Sequence, residues 1–385
     1  MPATRILTTH AGSLPRPAAL VDLYVRRNNG ETVSEAELND AASAATKHVV
    51  EMQREVGIDI PNDGEQIREA FFLYVQRRMS GFGGRWSRKP FRDLIKYPQY
   101  GAWRRAVAAN AAAVSNMDPP MAISEVKYIA PEENEAEIAD FKAALDAVGG
   151  DFADTFITAP SPGIVATAMK NDFYPDLDAY LDALADAIKI EYDAAARHGL
   201  MLQIDAPDLA MERHMWFGDE PLEVFQAFVE KTIAAINRAL ADVPRERARL
   251  HVCWGNYEGP HDSDVALKEI LPILLKCDVG GFLLPFANPR HQHEPKVFKD
   301  IKLADDQYLI AGVIDTQTIY VEHPEVVAER LEKVAEAVGD PARVQAGTDC
   351  GFDTSAGMGK VTEDVVWAKL RAMCEGAEIA SKRLF

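Results

Sequence analysis

Short apolar runs of four to seven residues alternate along the chain with longer stretches in which apolar positions recur every three or four residues. The first pattern fits buried strands and the second fits amphipathic helices. Nine runs read as strands: Arg5–Thr9, Gly57–Pro61, Ala122–Tyr128, Thr155–Ala159, Met201–Asp205, Arg249–Cys253, Gly280–Leu284, Tyr308–Ile314 and Arg343–Ala346. The stretches between them carry helix end signals. Ser34-Glu35-Ala36-Glu37 is a capping box that opens a helix towards Val56. Leu181, Leu184, Ile188 and Tyr192 share one face of a helix from Leu177 to His198, with Gly199 as its stop. Pro221 suits the first turn of a helix to about Leu240, and Pro324 the first turn of one that ends near Gly339.

Alternating strands and helices predict an α/β fold with a parallel sheet, a (β/α)8 TIM-type barrel. Nine candidates compete for eight barrel positions, so one is expected to be irregular; the pattern does not say which. The chain has 385 residues, a length that barrels reach as one unit. No linker rich in Pro, Gly and Ser divides it, so residues 1–385 are expected to form a single catalytic domain. A helical and loop excursion around residues 77–119 breaks the rhythm most. Strand candidates end in Thr9-His10-Ala11-Gly12-Ser13, Asn62-Asp63-Gly64-Glu65, Asp205-Ala206-Pro207-Asp208, His251-Val252-Cys253 and Asp349-Cys350. In such barrels the chemistry gathers at the C-terminal strand ends, so these groups are expected to meet at one mouth.

The formal net charge of -19 argues against nucleic acid and anionic membranes as partners. No apolar run reaches the roughly 18 residues of a membrane-spanning helix. Residues Met1–Ile6 lack the basic-then-apolar order of a signal peptide, so a cytoplasmic location is the expectation. Four dispersed cysteines, Cys253, Cys277, Cys350 and Cys374, do not form a disulfide framework. Cys277 and Cys374 read as core residues.

His251 and Cys253 lie two apart in a strand-like run, so both project from the same face. Cys350 follows another strand. Thiolate and imidazole are favoured zinc ligands, and three protein ligands leave a position open for substrate. Spacing alone also allows two buried thiols and a satisfied core histidine.

Thr8-Thr9-His10-Ala11-Gly12-Ser13-Leu14-Pro15, Asp63-Gly64-Glu65, Gln203-Ile204-Asp205, His251-Val252-Cys253 and Asp349-Cys350-Gly351 together resemble the catalytic half of the cobalamin-independent methionine synthase family. The motifs keep the family's order and span nearly the whole chain, which fits a short form without the extra N-terminal barrel. The resemblance implies a Zn2+ cofactor on His251, Cys253 and Cys350. It implies an amino-acid thiol held by Ala11, Gly12 and Ser13, with Glu65 and Asp205 on its amino group. The activity implied is zinc-dependent methyl or alkyl transfer to a thiol, of the 5-methyltetrahydropteroyltriglutamate–homocysteine methyltransferase type. The partners implied are a small thiol substrate and an alkyl donor, and a homo-oligomer is left open.

The chain departs from the family at three places. The strand expected to supply a glutamate ligand reads Gly281-Phe282-Leu283-Leu284-Pro285-Phe286; Gln317 stands for the acid histidine; Met169 aligns with the tryptophan that stacks on folate. Methyltetrahydrofolate is therefore expected to be a poor donor. The chain is also similar to epoxyalkane:coenzyme M transferase, which opens an epoxide with an activated thiol, and to short folate-independent methyltransferases. A barrel that only binds a small ligand is the non-enzymatic alternative.

Further candidates follow from the positions of single residues, some of them read against that resemblance. His323, at a helix start, could replace the missing acid, and His10 could supply a fourth zinc ligand. His291, His293 and Glu294 resemble a second metal cluster. Arg77, Arg78, Arg85, Arg88, Lys89 and Arg92, around Gly81-Phe82-Gly83-Gly84, could form a lid that closes on an anionic substrate.

Overall fold

Six of the nine apolar runs become neighbouring parallel strands: Phe156–Pro160, Met201–Asp205, Ala248–His251, Gly281–Pro285, Tyr308–Ile314 and Val344–Thr348, paired in chain order. The structure is a computed structural model and describes residues 4–108 and 112–385. Nearly every strand residue is buried, as expected of a parallel sheet covered on both faces.

The two sheet edges are joined by backbone hydrogen bonds through two irregular segments. The Thr9 amide donates to the Ala346 carbonyl (2.9 Å) and the Ala346 amide to the Leu7 carbonyl (2.8 Å). The Asp59 and Ile60 amides donate to the Thr8 carbonyl, and the Phe156 amide to the Pro61 carbonyl (3.0 Å). Residues 7–9 and 59–61 thus take the remaining two positions of the barrel. The irregular ninth candidate is Ala122–Tyr128. It pairs outside the barrel, as the ribbon Met121–Ala122 antiparallel to Phe82–Gly83 and through an isolated antiparallel bridge from Tyr128 to Met79.

Helices cover the outside where the end signals placed them. Glu35–Val56 is capped by the Ser34 side chain on the Glu37 amide (3.3 Å). Leu177–Arg197, Leu222–Ala239 and Pro324–Val338 follow, the last stopped by Gly339 at φ +88°. One crossover is reduced to the 3-10 helix Glu294–Lys299, where Pro295 stands.

The barrel interior is polar along one line. The Arg249 guanidinium is fully buried, 3.8 Å from the Phe156 ring centroid, and donates to Gln203 Oε1 (2.9 Å) and Thr9 Oγ1. Gln203 Nε2 donates to the Ala11 carbonyl (2.7 Å) and Asp205 Oδ1 (2.8 Å). This chain of donors carries order from the barrel axis to the C-terminal strand ends.

The excursion folds back over that end. Helices Arg92–Lys96 and Pro98–Ala108 lie in it. Asp93 Oδ2 accepts from the Tyr257 hydroxyl (2.6 Å) and the His261 amide (2.8 Å), which ties the excursion to the loop after Ala248–His251. Arg88 pairs with the fully buried Glu212 at 2.9 Å.

The expected arginine lid needs correction. Arg77 pairs with Glu69, Arg78 with Glu137 and Glu191, Arg88 with Glu212, and Arg92 with Asp219. The Arg77, Arg78 and Arg88 guanidiniums are committed to buried carboxylates of the protein itself and are not free to clamp a substrate, while the carboxylate that Arg92 meets, Asp219, is exposed.

Candidate functional site

His251 closes its strand, and Cys253 lies two residues on. The Val252 amide still donates to the Leu283 carbonyl (3.1 Å), so the strand alternation persists across the pair. Cys350 follows the strand Val344–Thr348. The His251, Cys253 and Cys350 ligand atoms lie within 4.8 Å of one another, and all three residues are buried. They are the one such group among the described residues.

The Cys253 and Cys350 sulfurs are 3.7 Å apart. A disulfide needs about 2.05 Å, whereas two sulfurs at about 2.3 Å from a tetrahedral zinc ion stand roughly 3.8 Å apart. His251 Nδ1 meets Asp205 Oδ1 at 2.9 Å, while its buried Nε2 has no hydrogen-bond partner. A carboxylate on one ring nitrogen with the other left free is the usual arrangement of a metal-binding histidine. The residues present therefore fit a zinc ion. The Cys350–Cys253 contact holds Cys253 well below the ordinary thiol range and pushes Cys350 above it. Burial opposes a proton on His251, but Asp205 and Cys253 outweigh it and raise the imidazole to about 10.

The remaining predicted residues converge on the same place. Ala11, Ser13, Glu65, Asp205, His251, Cys253 and Cys350 line one cavity of about 320 Å³. The Ala11 amide donates to Thr348 Oγ1 (3.0 Å), and the buried Ser13 Oγ has no partner. Gly12 packs against Glu65: a Cβ there would lie 2.9 Å from Glu65 Oε1. Gly351 is required for the same reason, since its Cβ would fall 2.0 Å from Ser13 Oγ.

Glu65 itself sits at φ +56°, a conformation that costs a non-glycine residue free energy. Its Oε1 accepts from Thr158 Oγ1 (2.9 Å), and its buried Oε2 has no partner. Burial, then the charge of Asp205, pushes its carboxyl up to about 8, against the pull of Arg68 and Arg16. A buried carboxylate oxygen without a donor is poised for a cationic ligand.

Other expectations are not met. His10 has both ring nitrogens engaged, Nε2 with Gln53 Oε1 (2.8 Å) and Nδ1 with the Gly12 amide (3.2 Å), and burial lowers it to about 4. It is not a fourth metal ligand. His291 uses Nδ1 on Glu294 (2.8 Å) and Nε2 on Asp264 (3.0 Å). Asp264 also takes His214 and His261, so this histidine group braces the loops beside the site. His323 caps the helix Pro324–Val338 through Nδ1, is exposed, and is not brought to the thiols. Cys277 is in the core as expected; Cys374 is partly exposed against Thr8. Met169 is fully buried and lines neither cavity beside the thiols.

A second cavity of about 210 Å³ shares Cys253, Asn256 and Cys350 and is lined by Asp315, Gln317 and Asp349. Gln317 Nε2 donates to Asn256 Oδ1 (2.5 Å), and Asn256 Nδ2 donates to the Gly351 carbonyl (2.8 Å). Asn256 was missed in the sequence; its position three residues past Cys253, after a glycine, was the available signal. Asp349 accepts from three backbone amides and the Asn288 side chain, fixing the loop after Pro285, where the strand carries no carboxylate.

Barrel and trio define an α/β-barrel protein with a thiol-rich site able to hold a metal ion at its C-terminal mouth. The chain matches no protein-family model. It is 28% identical over 383 residues to a methionine synthase of Thermococcus kodakarensis, covering 98% of this chain and 94% of that protein. A methionine synthase of Pyrococcus furiosus is 27% identical over 351 residues, covering 90% and 86%. A B12-independent methionine synthase from Shewanella, solved with selenomethionine, superposes with a TM-score of 0.73 at 21% identity, covering 99% of both chains. A putative vitamin-B12 independent methionine synthase from Listeria monocytogenes gives 0.66 at 22% identity, covering 97% of this chain and 98% of that one. The resemblance to the cobalamin-independent methionine synthases in their short form thus holds along the whole chain.

Proposed function

We propose that the protein is a zinc-dependent methyltransferase that moves a methyl or small alkyl group onto the sulfur of an amino-acid thiol of the homocysteine kind. The observation that carries this is the convergence, on one cavity, of the His251–Cys253–Cys350 trio with the partnerless Glu65 Oε2 and Ser13 Oγ. The full-length relatives named methionine synthase support the same class. Zinc on the trio would supply thiol activation, since a free thiol with pKa about 8.5 is mostly protonated at neutral pH.

The chain's own residues position the reactants. Asp205 fixes the His251 ring and, with Glu65, offers negative charge to a substrate ammonium. The backbone of Ala11–Ser13, braced by Thr348 and Gln203, holds the amino-acid end. In the transfer, the thiolate lone pair forms the new C–S bond. The bond from that carbon to the leaving group breaks, the leaving group keeps the electron pair, and the thiol proton goes to solvent. Gln317 cannot deliver a proton to a folate nitrogen, and a lost general acid costs about 100- to 10,000-fold. Methyltetrahydrofolate is accordingly a poor donor in this reading.

The test is elemental analysis with X-ray absorption. One zinc per chain is expected, lost in Cys350→Ala and retained in Cys277→Ala, with an added sulfur neighbour when homocysteine is present. Full zinc in Cys350→Ala overturns the ligand set. No added sulfur with a substrate that turns over overturns direct thiol activation.

A further inference from the structure

The cavity over the thiols has two chemistries. The polar strand-end groups share its lining with the apolar side chains of Phe71, Phe72, Phe91, Leu94, Ile164 and Met211. Phe91 stacks on Tyr257, which also lines the cavity, with ring centroids 4.1 Å apart. Two arginines of the helix Pro98–Ala108, Arg104 and Arg105, line the same cavity. Arg88, in the same lining, is neutralised by Glu212. Neither Arg104 nor Arg105 has an ion-pair partner among the described residues. Lys360, near Arg104, is paired with Glu258 at 3.1 Å, which leaves Arg104 and Arg105 as the unpaired cations among the described residues of the lining. This stands out in a chain with a formal net charge of -19.

We propose that the alkyl donor is a compact molecule with an apolar or aromatic body and one anionic end, a carboxylate or sulfonate. The body lies in the apolar chamber, and the anion meets Arg104 and Arg105. The inference rests on reading the cavity as an alkyl-transfer site. It goes further by fixing the donor's chemistry. The apolar lining offers few hydrogen bonds, so it favours a body whose polar atoms are confined to the leaving group that departs with the electron pair. Unpaired guanidiniums in the same lining favour a single terminal anion, for which a charge-assisted pair gives strong orientation. A cationic donor would bring like charge to these arginines.

The test is calorimetric titration of the full chain with 4-phenylbutyrate and with its neutral amide, 4-phenylbutyramide. The acid is expected to bind about 10- to 100-fold more tightly, the range of one or two charge-assisted hydrogen bonds. The difference should shrink with added salt and vanish in Arg104→Gln/Arg105→Gln, where the amide binds as before. Arg104→Glu/Arg105→Glu should instead gain affinity for 4-phenylbutylamine, a result that misfolding cannot produce. Equal binding of acid and amide, no binding of either, or a preference that survives the double Gln variant each overturns the proposal. Zinc content is measured on the same samples. An acid preference without zinc would sink the metal reading alone, and zinc without an acid preference would sink the donor class alone.

Discussion

The floor and the roof of the thiol cavity are built on different terms. On the floor, strand ends place each polar group and a second residue fixes it: Asp205 orients His251, Thr158 holds Glu65, and Thr348 and Gln203 hold Ala11. Three atoms there are left without partners: His251 Nε2, Glu65 Oε2 and Ser13 Oγ. The roof comes from the excursion around residues 77–119. It offers Phe91 and Leu94 to the cavity and is tied to the barrel loops by long-range bonds of Trp86, Arg88, Asp93, Lys96 and Tyr100. Rigid elements with supporting shells suit chemistry that demands fixed geometry. A roof of apolar contacts suits selection of a partner by shape and charge. If the division is real, floor variants change metal and amino-acid binding, and roof variants change the donor alone.

The largest expected effect is on the floor. Asp205→Ala removes the partner of His251 Nδ1. Outer-shell partners of metal ligands typically contribute 10- to 100-fold in affinity, so zinc affinity, measured by chelator competition, should fall by about that factor. Phe91→Ala in the roof should leave zinc affinity unchanged. Equal losses in both variants would break the distinction between floor and roof.

Glu65 gives a pH signature of the same contrast. Its carboxyl is raised to about 8 in the free protein, chiefly by burial. An ammonium ligand pairs with the ionised form, so binding expels a proton. Affinity for methionine, which has no thiol to titrate, should rise with pH by up to about tenfold per unit below that value and level off above it. For stability the sign is opposite. Because the folded pKa is raised, folding favours the protonated carboxyl, and stability is lost as pH climbs from the ordinary carboxylate range through about 8. Glu65→Gln should flatten both curves. A methionine affinity that is independent of pH in the unaltered protein would remove Glu65 from the amine site.

The floor was readable in the sequence because its logic is local. His251 and Cys253 share a face through the period of a strand, and Asp63-Gly64-Glu65 announces a turn. The barrel was readable from the same alternation, save for one ambiguity. Ala122–Tyr128 has the composition of a strand, but the eight barrel positions were already filled by residues 7–9 and 59–61 and the six regular strands. Asp205 was read as a substrate carboxylate. Its role on His251 depends on parallel register, which sets the two residues opposite each other, and no spacing along the chain reveals that. The roof was misread because its partners are remote. Arg88 meets Glu212 across 124 positions, so a run of arginines looked free when most of it was paired.

The smallest effect tests the hinge between the two regions. Asp93 Oδ2 accepts two hydrogen bonds, from the Tyr257 hydroxyl and the His261 amide, and these join the helix Arg92–Lys96 to the loop that follows the His251 strand. Asp93→Asn keeps an acceptor of the same shape but removes its charge. The gap between a charged and a neutral acceptor is about 1 kcal/mol, equivalent to about a fivefold change in a local equilibrium. The loss should appear as faster amide hydrogen exchange in residues 92–108 and in the 257–261 loop, since weakly tied segments open first. Zinc content and methionine affinity should not move, because His251, Glu65 and Asp205 keep all their partners. Donor affinity should weaken slightly, because Phe91 at the start of the altered helix and Leu94 within it line the cavity. A fall in zinc content in Asp93→Asn would mean that the roof bears on the metal site after all, with the Tyr257–His261 loop as the route. Unchanged exchange would mean that the other ties, among them Arg88–Glu212, Lys96–Asp262, Tyr100 on the Glu258 carbonyl and the Phe91–Tyr257 stack, hold the roof without Asp93.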